Sequence, residues 1–355
     1  MTKATTIQDV AGALGMHKST VSLALSGKGN ISAQTRARVL AATKELRYEP
    51  NPLAQRLASG HRSPTVCIFS GVLDVGLSTE KILMIQKEMG ARGFETPIYT
   101  CPEPADGADT SQAALLKNLC RQRPRAILCA AAMLDPRVFA ELEAYQESGG
   151  IVVGYDVPMP MPCDQVVFDR EDNAYQAARH LLEHGHRRIG IGISNTAPWL
   201  SGKSDGPQEF RLRGFERALK EWDVPLRPEW RFRTEAYEQG GAEMARQFLR
   251  MPDRPTGLCI VNDYIALAFM VEVMRAGVRI PQDISIVGHD DQPIAAYCPV
   301  PLTSVSHPAR EIAQAVAALL LDRLAGSQGP PQTKVIRGDL VSRESVVPPR
   351  ERLNN

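Results

Sequence analysis

With 355 residues, 43% of them hydrophobic and 23% charged, the chain exceeds what one core supports, so two or three domains are expected, and its composition excludes a disordered polypeptide. No apolar run approaches the roughly 18 residues that span a bilayer, and the start MTKATTIQDV lacks the apolar core of a signal peptide, so a cytoplasmic protein with no membrane partner is expected. The net charge of +1 hides an asymmetry: nine Lys or Arg against three Asp or Glu give the first 64 residues +6, and the other 32 basic and 37 acidic residues give −5, which puts a polyanion-binding surface at one end only.

Thr6 can cap a helix whose third residue is Asp9, and Ile7, Val10, Ala11 and Leu14 then recur at helical spacing. Gly15 supplies a left-handed turn position, and Lys18 to Ser26 resumes the period with Val21, Ala24 and Leu25 inward. A helix-turn-helix needs a small residue where its helices cross, a glycine at the corner and a branched apolar residue locking the second helix. Ala11, Gly15 and Val21 meet those needs, although a plain helical hairpin would use them too. Ser32 caps a third helix, AQTRARVLAATKELRY, whose Val39, Leu40 and Leu46 are expected to close a three-helix core. Pro50 stops it; Asn51 can cap a further short helix with Pro52 in its first position and Gly60 at its end. About seven helical residues are too few to hold in water without a partner.

From Thr65 onward, strand-like TVCIFS, ETPIY, RAILCA, IVVGY, QVVF, RIGIGI, GLCIV and ISIVGH alternate with helical TEKILMIQKEMGARG, DNAYQAARHLLEHG and YIALAFMVEVMRAG. Such alternation specifies parallel sheets covered by helices, with room for two. The proline-rich PMPMP at 158–162 reads as an extended strand between two lobes. Ligands of open parallel sheets bind beyond the carboxyl ends of the strands. Asp156 follows IVVGY, Asn262 and Asp263 follow GLCIV, and Asp290 and Asp291 follow ISIVGH. Adjacent carboxylates such as Asp290 and Asp291 point in different directions, so ligand binding is a better reading of them than acid–base catalysis, and carboxylates at a cleft suit hydroxyl or amine donors.

Seven cysteines without a CxxC pair read as free buried thiols. His180, His184 and His186 admit a metal-site reading, against a structural one in which HLLEHGHRRI is a helix end and turn with His186 a satisfied structural histidine. No phosphate loop stands out, and no nucleophile with a nearby base, so neither an enzyme nor a cofactor or metal is expected.

TIQDVAGALGMHKSTVSLALSG resembles the helix-turn-helix of the lactose-repressor (LacI/GalR) family, and NPLAQRLASG resembles its hinge helix. FRLRGFERAL, the run from LCIVNDYIALAF to PLTSV, and VSRESVVPP resemble the effector domain of that family, so the likeness covers nearly the whole chain. It implies an all-α helix-turn-helix domain over 1–49 and a hinge over 50–62. An α/β effector domain follows over 63–350, with the two-lobed fold of periplasmic binding proteins. Its first lobe is expected at about 63–163 and 306–327, and its second at about 164–305 and 328–350.

The implied function is a repressor that binds a palindromic double-stranded DNA operator as a homodimer under the control of a small-molecule effector. A sugar is expected, with a purine or other metabolite as the alternative. A periplasmic-type solute-binding protein would share the second domain but would have no use for residues 1–60. Base readers carried over by the resemblance are Lys18, Ser19 and Leu23. Thr20 and Ser22 fall on phosphates, Thr6 and His17 on caps or backbone contacts, and Asn51, Ala54, Gln55 and Leu57 on the minor groove, with Leu57 as the wedge. The implied effector contacts are Asp156, Arg211, Asn262 and Asp290, with Trp199 and Phe210 as candidate stacking faces.

Three departures stand out. Leu23 stands where many members carry arginine, which replaces a guanine reader by an apolar contact. SGVLDVGLST is not the usual polar loop, and ISNTAPWLSGKSDGPQEF is longer than common; both border the expected cleft. The tail PRERLNN has no leucine heptad, so no assembly beyond a dimer is expected.

Overall fold

The structure is a computed structural model that describes residues 5–26, 30–48, 64–71, 73, 76–100, 112–130, 134–194, 206–235 and 237–350. The hinge residues Asn51, Ala54, Gln55 and Leu57, and also Trp199, lie outside the described residues. The chain divides into two units, Met1–Ser63 and Pro64–Asn355.

The first unit holds α1 (Ile7–Leu14), α2 (Lys18–Ser26) and α3 (Ala33–Glu45). Thr6 and Asp9 form a reciprocal capping box at the start of α1, and Gly15 ends it at φ 61°, a conformation that costs other residues about 1 kcal/mol or more. Ser32 caps α3 by accepting from the Thr35 N–H at 3.1 Å. Val10, Ala11, Val21, Ala24, Val39 and Ala42 make the core. Leu40, expected in that core, is instead 53% exposed: positions 39, 42 and 46 share one helical face, and residue 40 is rotated about 100° from Val39.

The second unit contains two six-stranded sheets. The first has the order β11 (Thr333–Ile336), β5 (Asp164–Phe168), β4 (Val152–Asp156), β3 (Ala126–Ala130), β1 (Val66–Ser70) and β2 (Ile98–Thr100), all pairs parallel. The second has the order β12 (Leu340–Val341), β10 (Thr303–Ser306), β9 (Ser285–Asp290), β8 (Gly257–Ile260), β6 (Ile189–Ser194) and β7 (Arg231–Thr234), parallel except for the β10–β12 edge. Strands buried on both faces alternate between two cores. Val66 and Ile68 pack with α4 (Leu77–Gly90) and α11 (Ala309–Leu324), while Cys67 and Phe69 pack with α5 (Gln112–Arg121) and α6 (Pro136–Glu147). In the second sheet Leu258 and Ile260 face α9 (Tyr237–Arg250) and α10 (Asp263–Arg275), and Cys259 and Val261 face α7 (Arg170–Glu183) and α8 (Pro207–Glu221). The six described cysteines are all free, five of them buried.

The chain crosses between the two lobes three times: from β5 into α7, from β10 into α11, and from β11 to β12. The crossings are laced together. The Asp169 N–H donates to Ile336 O at 2.9 Å, the Ser306 N–H to Asp339 O at 2.9 Å, and Gln176 Nε2 to Gly338 O at 2.9 Å. These positions correct the expected lobe bounds. The 158–162 segment joins β4 to β5 inside the first sheet, where Met159 and Met161 pack in its core. Apolar methionines between the prolines bury the segment instead of leaving it as a solvated linker. Residues 164–168 and 333–336 therefore belong to the first lobe, as its strands β5 and β11.

Candidate functional site

In the first unit, burial of Val21 and Ala24 fixes which side of α2 faces outward. Lys18, Ser19 and Leu23 are exposed and Thr20 and Ser22 partly so. Residues 18 and 22, and 19 and 23, are one turn apart and share that outer face. Leu23 is 41% exposed. His17 Nδ1 lies 2.9 Å from Ser19 Oγ at the start of the helix, and Thr6 is committed to its capping box.

In the second unit the polar strand-end residues gather where the two sheets face each other. Asp156 ends β4 and Asp290 ends β9, both at positive φ (79° and 95°), a conformation in which a short carboxylate is better tolerated than a bulky side chain. Asp156 is buried among cations. Lys81 Nζ lies 2.6 Å from its Oδ1, Arg170 Nη2 lies 2.9 Å from its Oδ2, and Arg170 Nη1 donates to its backbone oxygen at 2.7 Å. Burial alone would raise the Asp156 pKa, but Arg170 and then Lys81 hold it well below the usual carboxylate range. His307 follows β10 and stacks on Phe168 at 3.8 Å between ring centroids. Its Nε2 is 3.3 Å from Asp156 Oδ1 and its Nδ1 is 3.9 Å from Asp290 Oδ1. Burial, with Lys81 nearby, pulls its pKa down to about 3, so the ring is neutral at physiological pH.

The second lobe contributes Arg211 from α8. That residue is 7% exposed, and among the described residues no hydrogen bond or ion pair reaches its guanidinium. Burial, and then the charge of Arg170, pull its pKa down to about 10, which leaves it a cation. Asp290 Oδ1 is likewise buried without a hydrogen-bond partner, and burial raises its pKa against the pull of Arg211. Asp291 points elsewhere, to Arg343 Nη2 at 2.7 Å. Asn262 uses its side-chain oxygen to cap α10, accepting from the Tyr264 N–H at 3.1 Å and the Ile265 N–H at 3.3 Å, so its amide N–H pair is what it can offer a ligand. Asp263 is turned to Ser304 Oγ and the Gln292 N–H, both at 2.7 Å. Phe210 is half-buried beneath Arg213, whose guanidinium carbon is 4.6 Å from its ring centre.

Asp156, Arg211 and Asp290 are thus brought together, with electrostatic influence on one another. Sequence reasoning missed Lys81, Arg170 and His307. One signal was available: Lys81 shares the buried stripe of α4 with Ile85 and Met89 at spacings of four, where a solvated lysine has no place. His186 is satisfied by Thr256 Oγ1 and Val347 O, both at 2.9 Å, which the fold brings from 70 and 161 residues along the chain. Among the described residues no cluster of metal-ligating side chains is present, and no helix is long and apolar enough to cross a membrane.

Comparison with known proteins places both units. Residues 6–51 match the model of bacterial regulatory proteins of the lacI family, and residues 178–346 match a periplasmic binding protein-like domain. The HTH-type transcriptional repressor PurR of Yersinia pestis bv. Antiqua (strain Antiqua) is 28% identical over 341 residues, 96% of each chain. A crystal structure of the lac repressor dimer bound to operator and the anti-inducer ONPF is 25% identical, with a TM-score of 0.79 over 97% of this chain and 100% of that one. A complex of the transcriptional regulator CelR with cellobiose is 25% identical, with a TM-score of 0.67 over 96% and 100%. With the head and the two-lobed unit both matched, and likeness running nearly end to end, the chain belongs to the lacI family of bacterial regulatory proteins.

Proposed function

We propose that this chain represses transcription in the cytoplasm by binding a palindromic operator as a homodimer, and that a small hydroxylated effector of the sugar class, held between its lobes, controls that binding. The observation that carries the reading is the outer face of α2, where Lys18, Ser19, Ser22 and Leu23 stand away from the packed Val21 and Ala24. A helix with one face locked and a polar, cationic face free suits the major groove. Lys18, Ser19 and Leu23 read bases, Leu23 through apolar contact such as a thymine methyl. Thr20, Ser22, His17 and the Thr6 end of α1 position the backbone. Residues 1–49 form the reader and 50–62 the hinge, whose Asn51, Ala54, Gln55 and Leu57 enter the minor groove.

Control comes from the second unit, through Asp156, Arg211, Asn262 and Asp290. The cellobiose complex of CelR supports a sugar-class ligand, and the lac repressor dimer on its operator supports the dimeric DNA complex. No turnover is assigned: Asp291, the neighbour that could pair with Asp290 for acid–base work, is tied to Arg343. The effector acts by its unequal affinity for the two arrangements of the lobes. Selection of duplexes from a randomised pool tests the reading. The full chain is expected to enrich a roughly palindromic site, with affinity falling steeply as salt rises. Tight binding of that site by a chain lacking residues 1–60 would overturn it.

A further inference from the structure

Among the described residues, one buried basic side chain of the cleft has no ion pair. Three basic side chains of the described residues face the cleft: Lys81, Arg170 and Arg211. Lys81 and Arg170 share one carboxylate, Asp156. Arg211 has neither a hydrogen bond nor an ion pair among the described residues, although it is more than nine-tenths buried. The described carboxylate that acts on it most strongly is Asp290, which forms no ion pair with it within 4 Å. Other described acids nearby have partners of their own. Asp291 is matched by Arg343. Asp263 is turned to Ser304 and Gln292, and burial and then Asp290 push its pKa well up. His289 is held to Ile260 O, and burial keeps it neutral.

A buried, uncompensated guanidinium is costly to keep and is resolved by an anion that enters with its ligand. Beside it are acceptors as well: Asp290 Oδ1 and, one turn earlier on α8, Gln208 Oε1 are both buried without a partner. Gln208 is itself anchored, its Nε2 donating to Ser194 Oγ at 2.9 Å. Acceptors in that position take hydroxyl hydrogens.

We propose that the effector is a hydroxylated anion, a small sugar-like molecule bearing one carboxylate or phosphate, with its charge on Arg211 and its hydroxyls on Asp290 and Gln208. The inference rests on the cleft being the effector site. A neutral sugar would satisfy Asp290 and Gln208 but leave the guanidinium facing hydroxyl oxygens alone.

The test is thermal melting and calorimetry of the full chain at constant ionic strength. The probes are glucose, gluconate, glucuronate, glucose 6-phosphate, ribose, ribose 5-phosphate, acetate and inorganic phosphate. At least one acid is expected to raise the melting midpoint with concentration and to bind ten-fold or more tightly than its neutral parent; the carboxylate and phosphate arms identify the group. Arg211→Gln should weaken that binding at least ten-fold and Arg211→Lys less. Without ligand, Arg211→Gln should melt no lower than the parent protein, which separates lost charge from a misfolded cleft. No stabilisation by any acid probe, a neutral parent that binds as tightly as its acid, or acid binding indifferent to Arg211→Gln would each overturn the proposal. If a neutral sugar prevails and Asp290→Ala abolishes its binding, the cleft remains the effector site and only its charge preference falls. If binding is indifferent to both Arg211 and Asp290, the site assignment falls with it.

Discussion

Asp156 pairs with two buried basic side chains at once, Lys81 and Arg170, and so carries more weight than its place on a strand end suggests. Removing one partner of a buried ion pair leaves the other charge uncompensated, which costs about 3–5 kcal/mol. Asp156→Asn should lower stability by that order in a urea titration. Its pH dependence has a definite sign. A carboxylate whose folded pKa lies below the unfolded value of about 3.9 contributes fully above that value and loses its contribution as pH falls through the folded pKa. The parent protein should therefore lose stability below about pH 4, and Asp156→Asn should show a shallower decline there; parallel acid limbs would show that the cluster is not what holds the carboxylate ionised. Asp156 and Asp290 were legible in the sequence because each ends a strand-like run, IVVGY and ISIVGH. Arg170 and His307 were not, because each is buried only by elements that the fold brings from far along the chain.

At the level of elements, α7 and α8 cross where Gly214 leaves no room for a side chain: a Cβ there would lie 1.8 Å from Glu171 O. Arg211 sits on the same helix three residues earlier, so this crossing also sets where the guanidinium stands. Gly214→Ala should destabilise the protein by about 1–3 kcal/mol or more, since backbone must move to admit the methyl group. Gly12 in α1 is the opposite case: nothing lies within 4 Å of its Cβ position, and alanine there should stabilise the head by about 0.4–1 kcal/mol. Differential scanning calorimetry of the two variants checks both signs, and equal shifts would mean that the crossing yields more easily than its geometry implies. The alternation of strands and helices was readable because strands covered on both faces are written as plain apolar runs. RFRT and TKVI escaped notice because β7 and β11 are edge strands; three of the four β11 residues are exposed, so neither a continuous apolar run nor a clean alternation marks them.

For the whole molecule, the proposed regulation has events in the cleft reach the operator through residues 50–62. Leu57 is the large apolar residue proposed to wedge into the minor groove, where unstacking a base step costs a few kcal/mol that the bend must offset. Leu57→Ala should therefore weaken operator binding far more than binding to random duplex, because the lysines and arginines that dominate the non-specific mode are untouched. Affinities for both duplexes at one salt concentration, with the bend angle, decide this, and equal losses would reduce the segment to a tether.

The three crossings between lobes bear on how the protein is made. Neither sheet is a contiguous stretch of chain: β11 of the first sheet and β12 of the second both lie between residues 333 and 341. Domains synthesised from the ribosome ordinarily fold as each is completed, but here the first lobe lacks β11 until β6 to β10 of the second lobe have been made. A reading-frame error between α11 and β11 would then strip an edge strand from both lobes together, and with it the lacing that holds Arg170 and His307 at the centre of the cleft.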